Sequence, residues 1–111
     1  MKNETKLEKV KKWLKENGIK YRIPNKDEVW KSDLFLLDYM VNIKISVSEA
    51  VDAEFYEHTK GHYPVFIRTG ESPKFIIEKV QNTIIKSMQM QQKILMRKRE
   101  KEERKLKASE R

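Results

Sequence analysis

The 111 residues include no cysteine, only three glycines and three prolines, and no long apolar run. Without cysteine there is no disulfide scaffold, no thiolate metal site and no cysteine nucleophile. Three glycines are too few for a glycine-rich loop that cradles phosphate. No apolar stretch approaches the ~20 residues needed to cross a bilayer, so no membrane partner is expected. The opening MKNETKLEKV lacks the apolar core of a secretory signal, so the expected location is cytoplasmic. No Ser-His-Asp arrangement can be argued from spacing. Acids are also in short supply, with 17 Asp and Glu against 25 Lys and Arg and a formal net charge of +8. A cationic chain draws polyanions, and nucleic acid, most simply DNA, is the expected partner.

What is present suggests one small body with a solvated extension. Hydrophobic and charged residues each make up 38%, so the core is modest and the charged surface large. Residues 91–111 hold nine Lys and Arg and four Glu. That division gives a core over 1–89 and a basic helical extension over 90–111.

Along the chain, Leu7, Val10 and Leu14 recur at helical spacing, with Trp13 widening the stripe. Thr5 and Glu8 have the spacing of a capping box, and Asn17-Gly18 supplies a left-handed stop. Ile19–Ile23 reads as a short strand closed by Pro24. Asp33–Leu37 reads as a buried strand, and Val41–Ser46 alternates cleanly; only Asp38–Met40 separates the two, which predicts an antiparallel hairpin. Ser46 and Glu49 form a second capping box, opening a helix to about His58 with Val47, Ala50, Val51 and Phe55 inward. Tyr63–Arg68 is the last strand, with Pro64 at its start or on an edge. Ser72 caps a third helix with Pro73 in its first position. Phe75, Ile76, Val80, Ile84 and Met88 keep that helix amphipathic, and nothing beyond Met90 breaks it. The expected fold is α/β: a mixed four-stranded sheet flanked by helices, in the order αβββαβα, with a long charged C-terminal helix.

This order, with Asp33 before one strand, Asn42-x-Lys44 on the next and Gly61-His62-Tyr63-Pro64-Val65-Phe66 at the last, resembles the core of the restriction endonuclease-like, or PD-(D/E)XK, nuclease superfamily. The resemblance covers about residues 5–85. It implies a divalent metal, Mg²⁺, held by Asp33 and Glu8, with Lys44 and Asp33 catalytic. It also implies that Lys44, Asn42, Lys31 and Arg68 contact nucleic acid. Asn42 departs from the pattern, because an acid is expected there and an amide removes the charge that holds a hard cation. Glu49 or Asp52 on the following helix is the place for a relocated ligand. The implied function is therefore a DNA-binding protein on a nuclease-like core with impaired catalysis. One alternative is an active metal-dependent endonuclease using Glu49. The other is a protein-interaction or homodimerisation module using the C-terminal helix.

Each residue also has a plainer reading. Glu8 is the capping partner of Thr5. Asp33 is the polar residue before a buried strand. Lys44, in an otherwise apolar strand, must reach solvent, meet an anion, or be neutralised by Asp33 or Glu8. His58 and His62 are separated by Gly61, which removes the helical spacing of a zinc pair. Trp30, Tyr39 and Tyr63 are candidates for base stacking or for half-buried core. Met88, Met90 and Met96 suit an adaptable helix contact surface.

Overall fold

The computed structural model describes residues 2–24 and 32–109; Trp30 and Lys31 lie outside the described residues. The elements run α1 (Asn3–Glu16), β1 (Leu34–Leu36), β2 (Val41–Ile45), α2 (Glu49–His58), β3 (Tyr63–Ile67) and α3 (Pro73–Ser109). β1 pairs antiparallel with β2, and β2 pairs parallel with β3.

The expected fourth strand at Ile19–Ile23 does not form, so the sheet has three strands, in the order β1-β2-β3. Arg22 makes an isolated antiparallel bridge to Phe35 through two hydrogen bonds of 2.8 Å. Extending that register would place Pro24 opposite Asp33 and Lys20 opposite Leu37. Pro24 has no N–H to give, and Asp33 turns its own N–H to the Ile43 carbonyl at 2.9 Å. Leu37 already lies in the turn between β1 and β2. The ladder is stopped on both sides, while the α/β class and the mixed sheet stand.

Helix ends follow local chemistry. α1 begins at Asn3 with Lys2 as its N-cap and no side-chain cap, so the Thr5–Glu8 box is not made. Nothing before Thr5 breaks a helix, and Glu8 pairs instead with Lys11 at 2.8 Å, one turn on. At the other end Ile19 N–H bonds the Leu14 carbonyl and Gly18 N–H bonds that of Lys15. Gly18 sits at φ +66°, which completes a Schellman stop. The second box also shifts: Ser48 caps α2 by accepting from Val51 N–H, while Ser46 donates to the Asp52 carboxylate. Val47 and Val51 are exposed, and Phe55 is the buried residue of α2. Ser72 caps α3 as expected, accepting from Phe75 N–H.

The core lies between α1, α3 and one face of the sheet. Val10 and Leu14 of α1 and Ile76, Val80 and Ile84 of α3 pack on Leu34, Leu36, Val41, Ile43, Val65 and Ile67. Each such side chain contributes about 1.5–3 kcal/mol when fully buried. β2 is the central strand and is covered on its second face too, where Phe55 of α2 meets Phe66 edge-on at 5.8 Å. Phe75 and Met88 do not join the core; both are about half exposed.

α3 is 37 residues long and runs unbroken past residue 90, a length of roughly 55 Å at 1.5 Å per residue. Among the described residues its last buried one is Ser87, which donates to the Tyr39 carbonyl and so pins the helix to the hairpin turn. Residues 88–106 are all exposed, and the molecule measures 66 × 31 × 23 Å.

Candidate nucleic-acid interface

The residues expected from sequence are dispersed. Asn42 and Lys44 share the second face of β2. Asn42 is fully buried, its amide nitrogen 2.9 Å from His62 Nδ1 and its amide oxygen without a hydrogen-bond partner. The His62 ring stacks on Phe35 at 5.5 Å. Lys44 is only 8% exposed, and its ammonium lies over the Phe55 ring at 5.6 Å. Neither Asp33 nor Glu8 neutralises it. A cation–π contact takes that place.

Asp33 stands one residue beyond the Leu34–Ile43 pair, and its carboxylate accepts the Ile45 N–H at 2.7 Å. It therefore closes the end of the hairpin. Glu8 is on the surface of α1 with Lys11. Glu49 is exposed in the first turn of α2, and His58 faces Glu54 along the same helix. Among the described residues no three acidic, histidine or cysteine side chains come together closely enough to hold a metal ion.

Among the described residues, Arg68 is the expected contact that remains on the surface, and it stands beside a larger arrangement. It is exposed just after β3, its guanidinium over the Phe66 ring at 5.9 Å. Its carbonyl is held by the buried Lys6 of α1 at 3.3 Å. Next to it Lys79 uses its ammonium entirely within the protein. It donates to the Phe66 carbonyl at 2.7 Å and to both Glu71 carboxylate oxygens at 2.8 and 3.0 Å. Glu71 also accepts the Arg68 N–H at 2.7 Å. Burial works to raise the Glu71 carboxyl. The Lys79 hydrogen bonds, the Arg68 N–H and the two positive charges outweigh it and hold the group below its ordinary value.

This bridge also closes the outer edge of β3. Tyr63 and Ile67 direct their bonds toward the β2 side, so Pro64 and Phe66 face outward. Pro64 lacks a donor and the Phe66 carbonyl is taken by Lys79, which leaves little for another strand to pair with. Between this edge and α3 runs a groove of about 390 Å³ that includes Phe66, Arg68, Asn82, Thr83 and Lys86.

From the groove a line of cations continues along α3. At 100° per residue, Lys79, Lys86, Lys93, Arg97 and Arg104 fall within an arc of about 40°, and no Asp or Glu falls inside that arc between Lys79 and Arg104. Lys86, Lys93, Arg97 and Arg104 are exposed and form no ion pair among the described residues. Sequence reasoning counted these charges but missed their alignment; the signal was available in the spacing 7, 7, 4, 7. The Lys79–Glu71 bridge, eight residues apart across a helix start, had no comparable signal. Comparison with protein-family models, curated proteins and solved structures returns no match, and nothing in them identifies a nuclease family.

Proposed function

We propose that this protein binds nucleic acid through the cationic line of α3 together with Arg68. The observation that carries the reading is the alignment of Lys86, Lys93, Arg97 and Arg104 on one exposed, acid-free arc. A rigid helix holds these charges over roughly 27 Å between Lys86 and Arg104, so a phosphate backbone meets several of them without the helix having to reorganise. Among the exposed apolar residues, Ile85, Met88, Leu95 and Met96 centre roughly 130° away around the helix, whereas Phe75 and Met90 lie in or beside the arc. Lys44, buried under α2, supports the strand and is not assigned a phosphate.

The test is a matched pair of charge reversals. Lys86→Glu, Lys93→Glu and Arg97→Glu together take the net charge from +8 to +2, as do Lys9→Glu, Lys12→Glu and Lys15→Glu on the exposed side of α1. With circular dichroism showing both variants folded, anisotropy at low salt should show binding to a labelled oligonucleotide lost in the α3 variant. The α1 variant should retain most of it. Equal weakening in the two would mean that net charge, not this face, is what the nucleic acid senses.

A further inference from the structure

The same site carries an aromatic group that a backbone-tracking surface does not need. Phe75 is 48% exposed, although it opens a helix whose neighbouring Ile76 is fully buried. It lies 4, 7, 11 and 18 residues before Lys79, Asn82, Lys86 and Lys93, which puts all five on one face of α3 within about 60°. The Lys79 ammonium sits over one side of the ring, 5.4 Å from its centroid, and Lys79 is itself fixed by Glu71 and the Phe66 carbonyl. Lys79 thus lies over a ring about half of which stays exposed. Lys79 also lines the open groove of about 390 Å³ that includes Phe66, Asn82 and Lys86.

Resting on the proposed nucleic-acid reading, we infer that the ligand is single-stranded, with one base stacked on the exposed Phe75 ring and the adjoining nucleotide in the groove between β3 and α3. Its backbone follows Lys86, Lys93 and Arg97. Charge alone predicts the opposite preference, because a duplex carries the denser line of phosphates and releases more counterions per contact. Only unpaired bases expose a face to an aromatic side chain, and base–aromatic stacking tolerates any sequence. Preference for the less charged ligand is therefore diagnostic of stacking.

The experiment compares a 20-nucleotide oligo-dT with a duplex of the same length, at matched salt, on the full chain and on Phe75→Ala and Phe75→Trp. The expected result is oligo-dT affinity at least tenfold above duplex affinity. Phe75→Ala should lower oligo-dT binding about fivefold or more while leaving duplex binding unchanged, and Phe75→Trp should restore it. Duplex binding equal to or tighter than oligo-dT binding, or a Phe75→Ala variant that binds oligo-dT like the parent, would overturn the inference and leave the cationic face intact. Absence of binding to either ligand would overturn the proposed function itself, and this inference with it.

Discussion

Glu71 and Lys79 show how single side chains shape this surface. Lys79 spends its three donors on the Glu71 carboxylate and the Phe66 carbonyl, so the pair locks β3 to the first turns of α3 and aligns the groove. Because the folded-state value of Glu71 lies below its ordinary 4.5, the bridge contributes its stability above that pH. The contribution is lost as pH falls through the folded-state value. Glu71→Gln should be less stable than the parent by about 1–2 kcal/mol at pH 7, and the difference should narrow at a pH below 4.5, as the carboxylate is protonated. Denaturant unfolding at the two pH values checks this; a difference that grows on acidification would contradict it. Residues such as Asn42 and Lys44 show the reverse side of reading side chains from sequence. Their alternation on β2 was legible, and they do share a face. That the face is covered by α2, with Lys44 over Phe55 and Asn42 against His62, depends on residues 11 to 20 positions away, beyond any local pattern.

At the scale of elements, α3 is two things in one helix. Up to Ser87 it is a core helix, and beyond that it is a solvated rod. Ile84→Ala should cost about 2–4 kcal/mol, because Ile84 packs in the cluster between α1, α3 and the sheet. Leu95→Ala, on the exposed rod, should change stability by less than about 0.5 kcal/mol. Thermal unfolding of both variants tests the division, and a comparable loss in Leu95→Ala would show that the rod packs against something. Sequence patterning located α1, α2, β2, β3 and the start of α3 closely, since Gly18, Ser72-Pro73 and the alternation of β2 are strong local signals. It failed at Ile19–Ile23, where composition favours a strand but pairing is denied by Pro24, by the turned Asp33 N–H and by the nearby turn. It also misplaced two caps. A plausible Ser or Thr three residues before a Glu says where a box is possible, whereas neighbouring Lys11, Ser48 and Asp52 decide where one forms.

The whole molecule is a small α/β body drawn out along one helix to 66 Å. A net charge of +8 favours polyanions, and the helix arranges part of that charge in a line that a flexible tail of the same composition would scatter. The candidate surface was therefore legible in sequence as charge and illegible as geometry, since it needs α3 to stay helical through Arg104 and the β3 edge to be closed by Lys79. The measurement that bears most directly on this account is the salt dependence of oligonucleotide binding by the full chain. Arg68, Lys86, Lys93, Arg97 and Arg104 are the exposed cations of the surface. If each neutralises one phosphate of a single strand, log K against log salt should fall with a slope of about −3.5. Removing Lys93 as Lys93→Gln should reduce that slope by about 0.7. A slope near zero, or no detectable binding at low salt, would contradict the assignment of this face to nucleic acid.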